Sequence, residues 1–377
     1  MRLGVGAIVD PELLRGERWF ASKDRALAAV TVEERFPIGA GGLAILRVDV
    51  ARGRSDLYSL PIDDGPESWL GLAGLAARGG SIVGDAGGTL LGMLPTQPTL
   101  PTPPATLPRR RPTVRPLGVD QSNSSIVVAE TSVLKLYRRL EPGPNPEVEL
   151  VMALGNAPIP AFQGAIRYRP ASGRSVDVAI LQRFVAGAPD EFERLAERLA
   201  TWLRAGCPTA GVPPFLADLD DAGRAAAALH VALLGLDGRH LEPRPARATD
   251  TARWSNRAAR AQSAAVRTIA PLDPGLATEL RALRATITTA VAPLGAVAPG
   301  TALIRIHGDL SVAQLVRDGS RYLIVDFEGE PTRSGAERRR RDTPVRDLAS
   351  MLRSIDHTTR SAIRRSGVVD HGPAVDG

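Results

Sequence analysis

The residues best placed to do chemistry fall between positions 307 and 328. His307-Gly308-Asp309-Leu310 is followed by Gln314-Leu315-Val316, then by Arg317-Asp318-Gly319-Ser320, then by an apolar run ending in Asp326-Phe327-Glu328. Asp318-Gly319 between two short apolar runs predicts a hairpin, because glycine accepts the positive φ of a tight turn. A hairpin lays its two ends side by side. One end carries Gln314 with Asp309 just upstream, and the other carries Asp326. Two carboxylates and an amide oxygen at one hairpin base suit phosphoryl transfer. One carboxylate orients a hydroxyl and takes its proton, while the amide oxygen and the other carboxylate hold Mg²⁺ against the phosphates.

That chemistry also needs a cation for the phosphates, on a strand upstream, and a carboxylate on a following helix to fix it. Lys135 in Val133-Leu134-Lys135-Leu136 meets the first demand. Of 47 basic residues only Lys23 and Lys135 are lysine, so a lysine that survives marks a place where a compact ammonium is wanted rather than a planar guanidinium. Glu149 is the expected partner, with Glu147 competing, since residues two apart on a helix point to different faces. Upstream, Ser122, Asn123, Ser124 and Ser125 form a loop of small polar residues able to approach phosphate oxygens.

The elements that must position these residues divide the 377-residue chain into several parts. Positions 1–93 read as a small mixed cap domain, with a short helix at 11–19 and strands at 28–36, 43–50 and 56–61. Positions 94–117 are proline-rich, which suits a semi-rigid linker or an edge loop. Positions 118–187 form a β-rich lobe: strands at 125–129 and 132–136, a Gly/Pro turn at 141–146, a helix at 147–154 and a strand at 176–185. Positions 188–377 form a mostly helical lobe that carries the hairpin, with amphipathic spacing from about 190 to 297. The fold class expected is α+β and bilobal.

Composition narrows the function classes. With 44% hydrophobic and 23% charged residues the chain reads as soluble and globular, and no apolar run reaches 18 residues, so neither a signal peptide nor a membrane span is expected. The single cysteine, Cys207, cannot form an internal disulfide and suits a reducing cytoplasm. The net charge of +6 comes from scattered arginines with no aromatics interleaved, so nucleic acid is not expected as a partner. Oligomeric state is not legible.

The chain resembles the maltokinases, sugar kinases of the aminoglycoside phosphotransferase group with a protein-kinase-like fold. The resemblance runs through RWFASK at Arg18–Lys23, SNSS at Ser122–Ser125, VLKLYRRLEPGPNPEVE at Val133–Glu149, HGDLSVAQ at His307–Gln314, DFEGEP at Asp326–Pro331 and TPVRDLASMLRSID at Thr343–Asp356. It implies ATP and Mg²⁺ as cofactors, and transfer to a sugar hydroxyl, with maltose as the first acceptor and glucosamine or another small molecule as the alternative. A catalytically idle kinase-like regulator is the alternative of another class. Asp309 is then the base, Gln314 and Asp326 the metal ligands, Lys135 with Glu149 the nucleotide clamp, and the stretch with Gln182, Phe184 and Val185 the hinge beside adenine. Glu328, Arg346, Asp347, Arg353 and Asp356 are the acceptor-side candidates. His307 is expected to hold the catalytic loop, and Ser311 stands where the resembling enzymes carry histidine.

Overall fold

The computed structural model describes residues 5–17, 19–51, 53, 55–63, 65–95, 112–118, 122–208, 213–238, 240–292 and 301–367. The chain forms two compact units. One comprises Met1–Leu229, His307–Arg339 and Asp347–Gly377, and the other His230–Ile306 with Arg340–Arg346.

In the first unit a single helical turn, α1 (Glu12–Arg15), replaces the longer helix expected at 11–19. Gly16 caps the turn, and Phe20 then drops into a core with Val30, Val32, Leu46, Val48 and Tyr58. The strands β1 (Leu27–Ile38), β2 (Gly41–Val50) and β3 (Asp56–Pro61) cover the runs expected at 28–36, 43–50 and 56–61. From Ala29 to Ile38, β1 buries nearly every second residue, the period that seats one face of a strand on a core.

The helix α2 (Pro66–Arg78) has no counterpart in the sequence reading. Its interior Gly71 and Gly74 look like turn residues, yet it starts on Pro66 and packs seven residues inward. It lies so close to the second sheet that a Cβ at Gly92 would sit 2.1 Å from the Leu75 carbonyl oxygen, and one at Gly164 would sit 2.0 Å from that of Ala76.

Two antiparallel sheets organise this unit. β4 (Gly80–Val83) and β5 (Thr89–Met93) pair with later strands: β6 (Val114–Pro116), β7 (Ser124–Val128), β8 (Ser132–Leu136), β10 (Phe162–Arg169) and β11 (Val176–Arg183) complete a seven-stranded sheet ordered β4-β5-β10-β11-β8-β7-β6. In exchange, β9 (Arg139–Leu140) joins β1–β3. Strands therefore cross the boundary expected at 93 in both directions. Of the proline-rich stretch, 96–111 lie outside the described residues. Its far end is an edge strand, β6, where Pro116 is tolerated because one side of the ladder is open.

α3 (Pro146–Leu154) follows the Gly/Pro turn, and its N-cap Asn145 accepts the backbone N–H of Glu147 at 2.8 Å. α4 (Glu191–Arg204) and α5 (Pro214–Leu234) begin the helical region. The second unit holds α6 (Ala248–Ile269), α7 (Pro274–Ala282), α8 (Arg284–Val291) and the short pair β12 (Arg244–Pro245) and β13 (Ala302–Leu303). Its buried Asp342 accepts from Trp254 Nε1 at 2.7 Å and pairs with Arg257 at 2.9 Å. The hairpin forms from β14 (Leu315–Asp318) and β15 (Arg321–Ile324), with Asp318 opposite Arg321 and Gly319 at φ +63°. The last described helix, α9, runs Val345–Ser366. Among the described residues no helix is long and apolar enough to cross a membrane.

Candidate active site

β8 lies between β7 and β11, and it buries Leu134 and Leu136 on one face while Lys135 points to the other. There the ammonium meets three carboxylates: Glu147 at 2.9 Å, Asp326 at 2.7 Å and Glu328 at 2.8 Å. Burial works against the charge on Lys135, but the three acids outweigh it and hold the ammonium well above the usual lysine range. Glu147 is 1% exposed, and burial pushes its carboxyl up even with Lys135 beside it. The Tyr137 hydroxyl donates to the same Glu147 oxygen at 2.9 Å.

The helix partner is thus Glu147, which corrects the expectation of Glu149. On α3 the two point to different faces, and Glu149 takes a two-pronged pair with Arg339 at 3.1 and 3.0 Å. Glu328, expected on the acceptor side, belongs to the Lys135 cluster. It also accepts from Asn123 Nδ2 at 2.5 Å. The loop of small polar residues is therefore tied down. Asn123 Oδ1 accepts the Arg138 backbone N–H at 3.2 Å, and Ser124 Oγ accepts from Arg138 Nε at 2.9 Å. Ser122 is exposed, and Ser125 pairs with Lys135 across the β7–β8 ladder.

At the hairpin base the Gln314 carbonyl accepts the Val325 N–H at 3.0 Å, which sets the two ends side by side as the sequence predicts. Asp326 follows at φ +67°, a left-handed turn that carries its half-exposed carboxylate to Lys135. The Lys135 charge holds the Asp326 carboxyl below the usual range. The Gln314 amide oxygen accepts from Ser311 Oγ, so the residue standing in the histidine position touches an expected metal ligand.

Asp309 is half-buried and its carboxylate accepts no hydrogen bond among the described residues. Burial raises its pKa, the charges of Asp326 and Glu330 add to the rise, and His307 and Arg353 oppose it. His307 is buried. Its Nδ1 accepts the Asp309 N–H at 3.3 Å, which leaves Nε2 to donate to the Val325 carbonyl at 2.9 Å. One ring thus bridges the Asp309 loop to the residue before Asp326.

Asp347 is not an acceptor-side residue. It is fully buried and accepts the backbone N–H groups of His307 at 2.9 Å and Gly308 at 2.8 Å, clamping the loop from α9. Asp356 is exposed and pairs with Arg360 one turn on, at 2.9 Å. Arg346 lies 3.5 Å from Asp342 in the second unit. Among the acceptor-side candidates, Arg353 lies where its charge opposes the rise of the Asp309 carboxyl. At the end of β11, Gln182 donates to the Pro160 carbonyl at 3.4 Å, Phe184 donates its N–H to Thr131, and Val185 is half-buried.

Sequence reasoning missed Tyr137 and Arg338. Arg338 donates to the Glu328 carbonyl at 2.9 Å and pairs with Glu141 at 3.0 Å. It sits in an arginine run that reads as a solvated patch, so no local pattern singles it out.

Glu147, Asp326 and Glu328 bring oxygen atoms within 4.8 Å of one another, close enough to share a cation. An all-oxygen donor set of this kind fits a hard divalent ion.

No family model matches the chain. Two curated proteins named glucosamine kinase do: one from Mycolicibacterium smegmatis, 31% identical over 64% of this chain and 58% of its own length, and one from Streptacidiphilus jiangxiensis, 32% identical over 69% and 58%. The chain thus spans under two thirds of the curated relatives it matches. Among solved structures, a glucosamine kinase superposes with a TM-score of 0.70 at 22% identity, covering 98% of this chain and 82% of that one. A second, described as a glucosamine kinase in complex with glucosamine, ADP and inorganic phosphate, gives 0.65 at 23%, covering 95% and 81%. The chain has the α+β, protein-kinase-like fold of these glucosamine kinases.

Proposed function

We propose that this protein transfers the γ-phosphoryl group of ATP to a sugar hydroxyl, with glucosamine as the acceptor. The observation that carries the reading is the pairing of two features. A lysine is held by three carboxylates, and a half-buried aspartate beside them has a carboxylate with no hydrogen-bond donor among the described residues. Lys135, fixed by Glu147, would engage the phosphates, and Asp309 would take the proton from the attacking hydroxyl. Asp326, Gln314 and Glu328 would hold Mg²⁺, which when bound neutralises phosphate charge. Gln182, Phe184 and Val185 would flank the adenine. Glucosamine is preferred to maltose because the relatives at 31% and 32% identity carry that name.

The test is turnover of Mg·ATP by the purified chain with glucosamine, maltose and an aminoglycoside in turn, following ADP release and the phosphorylated sugar by ³¹P NMR. Equal amounts of ADP and phosphoglucosamine are expected. Turnover of maltose alone would move the acceptor, and no phosphorylated product with any sugar would overturn the reading.

A further inference from the structure

A cavity of about 150 Å³ opens beside α3, on a wall that includes Glu328. Four arginines line it: Arg139, Arg174, Arg338 and Arg339. Its three carboxylates already have partners. Glu141 accepts from Arg338 and from the Gly335 N–H, Asp177 from Arg167 and the Asn145 N–H, and Glu328 from Asn123 while pairing with Lys135. Of the arginines, Arg139 pairs with Asp56 at 2.9 Å and Arg339 with Glu149 at 3.0 Å, while the other two are less well satisfied. Arg174 is exposed and makes no ion pair or hydrogen bond among the described residues. Arg338, mostly buried, keeps its Nε donor buried with no acceptor. A buried donor without an acceptor is rare in native structures. The N-terminal residues Asn145 and Pro146 of the nine-residue α3 open on the same space, adding the positive end of a helix.

We propose that this cavity binds a small tetrahedral oxyanion, inorganic phosphate being the probe. The chemistry is that of forked guanidinium donors around an acceptor-only ligand. A cavity of this size admits a bare oxyanion with a few waters. The site is separate from the one in which ATP is proposed to bind, although Glu328 belongs to both walls. An anion here therefore reaches the Lys135 cluster through one residue.

Isothermal titration of the full chain with sodium phosphate at constant ionic strength tests the proposal, on wild type, Arg174→Ala and Arg174→Glu, and on wild type saturated with a non-hydrolysable ATP analogue and Mg²⁺. Saturable binding is expected in wild type, with affinity at least tenfold weaker in Arg174→Ala and abolished in Arg174→Glu. Arg174 is exposed in a loop, so these variants should fold. Saturable phosphate binding should persist with the nucleotide site filled. Binding that does not saturate, or that Arg174→Ala leaves intact, overturns the proposal. So does binding abolished by the analogue, which would put the phosphate in the nucleotide site.

Discussion

Asp309 illustrates how one side chain's surroundings set its chemistry. A base must be ionised to accept a proton, and burial raises this carboxyl above the ordinary aspartate value of about 3.9. Activity should therefore fall as pH drops through a value higher than usual, and a kcat/KM profile with its acid limb at the ordinary aspartate position would remove Asp309 as the base. Asp309→Asn should lower kcat by about 10²- to 10⁴-fold while ADP still binds. A variant retaining a tenth of wild-type turnover would contradict the assignment. The two glutamates of α3 give a sharper contrast. Glu147→Gln removes the buried charge that faces Lys135, so apparent ATP affinity should drop by about tenfold, equivalent to about 1.4 kcal/mol. Glu149→Gln disturbs the Arg339 pair and leaves the Lys135–Glu147 contact in place, so it should stay within about twofold, as partly exposed pairs do. Equal effects in steady-state kinetics would mean that the face assignment fails.

At the scale of elements, the catalytic loop is held from three sides. His307 joins it to the hairpin, Ser354 Oγ accepts the Val312 N–H at 3.0 Å, and Asp347 takes two backbone N–H groups. Removing Asp347 strands both donors in a buried place. Each costs about 1–3 kcal/mol, so Asp347→Ala should lower the melting temperature by several degrees. It should also lower kcat more than it raises the KM for ATP, because the loop carries Asp309 and not Lys135. A variant with unchanged melting temperature would show that the loop holds itself.

For the whole molecule, the close seat of α2 on the seven-stranded sheet leaves little room for change. Gly92→Ala places a methyl 2.1 Å from a backbone oxygen that no side-chain rotation relieves, so α2 must move. Overpacking of this kind costs about 1–3 kcal/mol or more, and denaturant unfolding should show it. Gly87→Ala, where nothing lies within 4 Å, separates loss of space from loss of the glycine conformation at φ +84°. If both variants unfold at the same denaturant concentration, close packing is not what matters at Gly92.

The sequence by itself determined the local features. Strand-like runs marked β1 to β3, Asp318-Gly319 marked the hairpin, and the spacing of Asp309, Gln314 and Asp326 marked the base of it. Each depends on residues a few positions apart, so each leaves a period or a turn signature in one stretch of chain. Tertiary structure decided what depends on distant partners. It chose Glu147 over Glu149, since the helix phase against β8 is fixed by packing and not by α3 alone. It turned Asp347 from a sugar-facing candidate into a loop clamp and drew Glu328 to Lys135. It also exchanged β9 for β4 and β5 between the sheets. Pairing partners for two- to five-residue strands are fixed by which edges meet in the folded chain, and short segments carry too little pattern to name them.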